Sequence, residues 1–389
     1  MAIEYIKRAV ADKVISYLDN FPAVAILGPR QAGKSTLAKN IVSNFAGAIY
    51  LDLETASDRQ KVSNPEIFFE RYKNNLICLD EIQRAPELFT SLRGIIDTNA
   101  GNGQFLILGS ASQDLIRQSS ESLAGRIAFI ELSPFLFQEI EKEGNDLYKY
   151  WTRGGFPRSY LASSDEMSFT WRENFVQTFL ERDIPQLGFH IPAETLRRLW
   201  QMCAHLHGQL VNLSTLGQSL GVSHTTVRSY LDLLSQTFMI RLLSPFSANL
   251  KKRLVRSPKI YIRDSGILHA LLGLESFDEI MGHHVFGASW EGLAIENIIQ
   301  NFPRWKPAFY RTSDGTELDL VLERANKRII FEFKASKAPE LGRGFWNSIK
   351  QLEPQSAYVV APVDEPYPID KRVQVVPLNY IAKIASELK

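Results

Sequence analysis

The sequence predicts an α/β fold: a parallel sheet wrapped by helices in the first third, helical segments after it, and a second mixed α/β region at the end. Three observations carry this. Short apolar runs alternate with helical stretches from Phe21 to about Leu132, the pattern of strands buried on both faces. A glycine-rich segment, Gly28 to Ser35, follows the first apolar run and opens a helical one, the context in which such a loop cradles phosphate. Strand and helix periodicities mix again between Gly273 and Lys389.

In chain order, Met1 to Asn20 sets Glu4, Lys7, Arg8 and Asp12 among apolar residues, which predicts an amphipathic helix and not a signal peptide. Strands are predicted at Ala23–Leu27, Ala48–Leu51, Leu76–Leu79, Phe105–Leu108 and Ile127–Leu132, closing a core domain over residues 1–132. Residues 133–190 read as a helical lid, broken at Gly154-Gly155-Phe156-Pro157 by a turn. Residues 191–272 are expected to form a compact winged-helix domain. Residues 273–389 form the last domain, with strands near Leu318–Leu322, Ile329–Phe333 and Ala357–Val360.

Composition narrows the classes. At 389 residues the chain can bury several cores, and 45% hydrophobic against 22% charged residues excludes extended disorder. A net charge of +1 excludes coating of nucleic acid by bulk charge, so any basic surface has to be local. Cys78 and Cys203 are the two cysteines, without metal-type spacing, and no apolar run approaches 18 residues. The expectation is a cytoplasmic protein with no membrane contact.

Gly28-Pro29-Arg30-Gln31-Ala32-Gly33-Lys34-Ser35 fits G-x-x-x-x-G-K-[ST]. Its amides face the phosphates, Lys34 reaches the β- and γ-phosphates, Ser35 holds Mg2+, and Thr36 supports that end of the helix. Leu76 to Leu79 is an apolar strand that ends in Asp80-Glu81. Asp80 is predicted to order the magnesium shell and Glu81 to polarise a water for in-line attack on the γ-phosphate. ATP and Mg2+ are therefore the expected ligands. Ser110, at the tip of the Phe105 strand, is the candidate γ-phosphate sensor.

Within Val211 to Leu231 one helix ends at Gly221 and another starts after Ser223, its N-cap. That is a helix-turn-helix with His224, Thr225, Thr226 and Arg228 at the start of the recognition helix. Between Pro192 and Leu272 ten basic residues face three acidic ones, an excess of seven in a chain whose total is +1. Lys251-Lys252-Arg253 supply part of a wing. Local excess of this kind suits contact with the DNA backbone; the competing reading is a protein-interaction module with solvated basic side chains.

The phosphate loop, Leu79-Asp80-Glu81-Ile82-Gln83, Leu108-Gly109-Ser110, Leu123-Ala124-Gly125-Arg126, Gly154-Gly155-Phe156-Pro157 and Glu181-Arg182-Asp183-Ile184 follow one another along the chain. Taken in that order they resemble a widespread prokaryotic family of AAA-type P-loop ATPases. Further matches are Ser257-Pro258-Lys259-Ile260-Tyr261 with Asp264-Ser265-Gly266, and Glu317-Leu318-Asp319 with Glu332-Phe333-Lys334. In that family a conserved C-terminal domain of unknown function follows the ATPase core. The resemblance implies a homo-oligomeric ring, hexameric or similar, with Arg126 as a finger supplied in trans. Arg117, Arg153 and Arg158 are weaker candidates for that or a lid-sensor role. The C-terminal segment resembles the PD-(D/E)xK nuclease fold, which implies Asp319, Glu332 and Glu291 as magnesium ligands beside Lys334. Glu296 is a rival for the helical acid, and His283-His284 read as loop. The expected function is a ring-forming motor that translocates or remodels DNA, branched DNA included. Its rivals are an ATP-gated DNA nuclease and an ATP-dependent oligomerising switch that acts on a protein partner.

Overall fold

The computed structural model describes residues 5–99, 101–110, 123–141, 146–246, 257–312 and 316–388. They fall into two compact units, residues 1–135 with 236–238, and residues 136–235 with 239–389. Arg117 and Lys251-Lys252-Arg253 lie outside the described residues.

The first unit is built on five parallel strands: β1 (Ala23–Gly28), β2 (Ile49–Asp52), β3 (Ile77–Asp80), β4 (Phe105–Ser110) and β5 (Ile127–Glu131), in the order β2-β3-β4-β1-β5. Alternate residues of each strand enter opposite cores. Ala23, Ala25, Leu27, Ile77, Leu79, Phe105 and Ile107 pack with Leu88, Phe89, Leu92 and Ile96 of helix α5 (Leu88–Asn99). Val24, Ile26, Cys78, Leu106 and Leu108 pack with helices α1 (Ala11–Asn20) and α2 (Lys34–Val42). Every residue of β1 is buried, so the period-two alternation that marks a one-sided sheet is missing and the strand reads as a continuous apolar run. Helices α3 (Ala56–Lys61) and α4 (Pro65–Arg71) lie between β2 and β3. Side chains cap both: Asp58 N donates to Thr55 Oγ1 at 3.3 Å and Ile67 N to Asn64 Oδ1 at 3.4 Å.

The second unit opens with helices. Its turn at Gly154-Gly155 is fixed by one carboxylate: Gly155 N donates to Asp264 Oδ2 at 2.8 Å, and Asp264 Oδ1 caps helix Ser265–Leu272 through Ile267 N at 2.9 Å. Gly154 has φ +74°, and a Cβ there would stand 2.1 Å from Asp264 Oδ1; a Cβ on Gly266 would stand 2.1 Å from the Arg153 carbonyl. No side chain fits at either position. Arg153, the candidate lid sensor, is 8% exposed and ion-paired with Asp165 at 2.6 Å as part of this turn.

Helices Ala193–His205, Leu213–Leu220 and His224–Gln236 pack with a three-stranded antiparallel sheet of β6 (Gln209–Leu210), β7 (Ile240–Leu243) and β8 (Lys259–Ile262), with β8 in the middle. Their core also takes Phe156, Phe175 and Phe179 from the preceding helices. The last region is a six-stranded sheet, β9 (Lys306–Arg311), β10 (Glu317–Arg324), β11 (Lys327–Phe333), β12 (Ser356–Val360), β13 (Tyr367–Asp370) and β14 (Val373–Val376), in the order β13-β14-β12-β11-β10-β9. Pairing is antiparallel across β9, β10 and β11 and parallel across β11, β12 and β14. No helix among the described residues is long and apolar enough to cross a membrane.

Candidate active site

The phosphate loop is shaped by close approaches that only glycine permits. Leu132 N donates to Leu27 O at 2.7 Å, which brings the Leu132 carbonyl to 2.1 Å from where a Gly28 Cβ would stand. Gln31 at φ +62° and Gly33 at φ +98° curl the chain through the left-handed region, and α2 starts at Lys34. The Lys34 ammonium, 5% exposed, donates to the carbonyls of Gly28 at 3.0 Å and Pro29 at 2.8 Å. It therefore spans the mouth of the loop that Pro29, Arg30, Gln31 and Ala32 form, with Ser35 and Thr36 in the first turn behind it.

Two neighbours that sequence reading passed over complete this geometry. Arg8 is 3% exposed and donates to Ala32 O at 2.8 Å, Ser133 O at 2.7 Å and Pro134 O at 3.1 Å, which ties the loop to the chain after β5. Tyr50, on β2, donates its hydroxyl to Asp80 Oδ2 and also hydrogen-bonds Ser35. Burial and the Asp80 carboxylate push this phenol up. Tyr50 thus bridges the two residues assigned to magnesium. A hydroxyl and a carboxylate are the hard oxygen donors that Mg2+ takes, and their shared contact with Tyr50 brings them to one place.

Asp80 is 3% exposed at the end of β3, and its Oδ1 accepts from Glu81 N at 2.9 Å. Glu81 turns out of the strand at φ +57° and accepts a hydrogen bond from Gln83. Burial pushes its carboxyl above the usual carboxylate range, against the pull of Lys34, while Asp80 adds to the rise and Arg30 opposes it. This half-buried carboxylate beside the loop's two cations is the candidate base for a water at the γ-phosphate. Ser110 ends β4 in register with Gly28, which sets the sensor candidate beside the start of the loop.

Arg126 stands at the other end of the sheet. Its carbonyl accepts from Ala23 N at 3.1 Å, where β1 begins, so about 20 Å of strand separates it from its own phosphate loop. Its guanidinium pairs with Asp97 of α5 at 2.5 and 2.9 Å.

Helices Leu213–Leu220 and His224–Gln236 are joined by a turn in the segment where a helix-turn-helix is expected. Gly221 ends the first at φ +69°, and Ser223 Oγ accepts from Thr226 N at 3.0 Å. His224, Thr225 and Arg228 are exposed, and Thr226 is half-buried with its hydroxyl 2.8 Å from that of Ser223.

The structure brings the C-terminal carboxylates together in part. Asp319 lies on β10 and Glu332 on β11, and Phe333 N donates to Asp319 Oδ2 at 2.9 Å, so the two strands do bring these acids close. Glu291, on helix Phe286–Asn301, interacts with Asp319 through charge. Yet among the described residues no three His, Cys, Asp or Glu side chains are disposed to hold a metal ion. Glu291 instead accepts from Tyr261 and from Lys259 at 3.2 Å, and Glu332 from Lys334 at 2.9 Å. The rival acid Glu296 is 7% exposed and ion-paired with Arg241 and Arg263. His283 and His284 lie in a turn, as expected.

Residues 20–141 match the AAA domain family, residues 144–278 a domain of unknown function (DUF8612), and residues 286–381 a domain of unknown function (DUF4143). With the loop, lysine and paired acids of the first unit, the AAA match defines a P-loop ATPase of the AAA type that binds ATP. The chain belongs to the same family as the uncharacterized proteins Rv2008c of Mycobacterium tuberculosis and Mb2031c of Mycobacterium bovis, each 39% identical to it over 98% of this chain and 85% of the relative. Among solved structures, the Walker-type ATPase PABY2304 of Pyrococcus abyssi is similar at 15% identity and a TM-score of 0.47, over 69% of this chain and 96% of that one. That likeness is too loose to bear on function.

Proposed function

We propose that this ATPase is a ring-forming motor that binds DNA through a winged helix, helices 193–236 with strands β6 to β8, and uses ATP turnover to translocate or remodel it. The observation that carries the reading is the exposed row His224, Thr225 and Arg228 at the start of helix His224–Gln236, in a segment with a basic excess of seven. An exposed helix start with phosphate-binding side chains suits a DNA groove. In the nucleotide site Lys34 and the loop amides bind the phosphates and Glu81 accepts the proton of the attacking water. Ser35 and Asp80 would hold a magnesium ion, which would supply neutralisation of phosphate charge. Arg126, a strand length from its own loop, reaches the ATP of the next subunit once it leaves Asp97.

The test is ATP hydrolysis at low salt, alone and with single-stranded, duplex, forked and four-way-junction DNA, with Glu81→Gln as control. Stimulation by one DNA form, absent in the control, is the expected result. Equal hydrolysis with every DNA overturns the motor and leaves the ATP-dependent switch on a protein partner.

A further inference from the structure

We propose that the Lys259 ammonium is the built-in counter-cation of the C-terminal acid cluster, filling the position where a nuclease-like site would hold a divalent metal, so that the folded chain takes no metal there.

The motif Ser257-Pro258-Lys259-Ile260-Tyr261 was singled out in the sequence without a role. Strand alternation puts Lys259 and Tyr261 of β8 on one face, and both aim at Glu291. Lys259 Nζ stands 3.2 Å from Glu291 Oε1 and 2.6 Å from Glu317 Oε1, and the Tyr261 hydroxyl donates to Glu291 Oε1. Lys259 also interacts with Asp319 through charge. One ammonium, 3% exposed, is thus shared among three carboxylates.

Other partners take part of the remaining ligand capacity. Glu317 Oε2 faces Arg311 at 3.4 Å, Asp319 Oδ2 accepts from Phe333 N, and Glu332 Oε1 pairs with Lys334. Glu332 Oε2 is buried without a hydrogen-bond partner. A divalent cation needs several oxygens at about 2.0–2.6 Å. Placed between Glu291 and Asp319, it would lie within a few ångströms of the ammonium, where like charges in a dry interior repel strongly. The ammonium therefore competes with a metal for these carboxylates, and the observed geometry belongs to the lysine. This assignment is independent of the DNA-motor reading.

Mn2+ uptake by the full-length, nucleotide-free protein tests it, read from the loss of the free-ion electron paramagnetic resonance signal. Wild type and Asp319→Asn should take up the same amount, because the cluster contributes no site. Lys259→Met should gain one site per chain, at least about tenfold tighter than any uptake by the cluster in wild type, and Asp319→Asn in the same chain should remove it. Lys259→Arg, which keeps a cation, should gain none. A wild-type site that Asp319→Asn abolishes would overturn the proposal, and so would a Lys259→Met protein with native circular dichroism and ATP hydrolysis but no new site. If Lys259→Met does not fold, the comparison of wild type with Asp319→Asn decides alone.

Discussion

The molecule contains two sites made of the same parts, and they behave as opposites. In each a buried lysine lies near carboxylates, one of which accepts from a tyrosine hydroxyl: Lys34 with Asp80, Glu81 and Tyr50, and Lys259 with Glu291, Glu317 and Tyr261. Lys34 follows a glycine loop and donates to two backbone carbonyls, neutral acceptors that a phosphate outcompetes because charge-assisted bonds are stronger. Lys259 sits on a strand and its partners are already carboxylates. Residue type does not make a site. What the lysine gives up when the ligand arrives does.

The comparison can be broken or sharpened at four points. A large effect on turnover is expected at Arg126. If it serves the neighbouring subunit, Arg126→Ala lowers turnover by about 10³-fold or more with ATP binding retained, measured by phosphate release beside nucleotide titration. Unchanged hydrolysis removes the finger. Next, Glu81→Gln should lower turnover by about 10²–10⁴-fold. Because burial raises the Glu81 carboxyl, wild-type turnover should be high where Glu81 is ionised and fall as pH drops through a value above the usual carboxylate range. In Glu81→Gln the residual rate should lose that limb.

Stability separates the two lysines. Removing one partner of a buried ion pair costs about 3–5 kcal/mol, so Lys259→Met should lower the melting of the second unit by that order while sparing hydrolysis. Lys34→Met should abolish hydrolysis with a smaller stability loss, read by calorimetry. A Lys259→Met chain as stable as wild type would erase the distinction. The smallest effect is a pH slope. Burial and then Asp319 push the Glu332 carboxyl up to about 7, so the folded state binds its proton more tightly than the unfolded state does. Stability from this group is therefore greatest below the unfolded value of about 4.3 and is lost as pH rises through about 7. Glu332→Gln should flatten the decline in Tm between pH 5 and 8.

What was legible follows from how local each constraint is. Gly28, Gly33 and Lys34 announce themselves because the loop's geometry is set within eight residues, and the strands of the first unit show as apolar runs. Tyr50 was invisible: it reads as one more strand residue, and only the pairing of β2 with β3 brings it to Asp80. Arg8 lacks any local signal, since its three acceptors belong to the loop and to residues 133–134. In the last sheet β9, β13 and β14 do not show in the sequence; Pro307 in β9 and Pro368 in β13 argue against strands, and both lie at sheet edges, where proline is tolerated, while β14 is a run of four residues. Glu291, Asp319 and Glu332 show in the sequence as acids by position, whereas nothing local shows that Lys259 reaches Glu291 from β8.

The Asp264 carboxylate, which holds the Gly154-Gly155 turn and caps helix Ser265–Leu272, bears on how members of this family can exchange segments. Gly154, Gly266 and Asp264 form an interlocked set with no spare volume, so a change in one needs a matching change in another. Recombination between relatives whose versions of this lock differ should succeed when the crossover lies outside residues 154–266 and yield insoluble chains when it lies within.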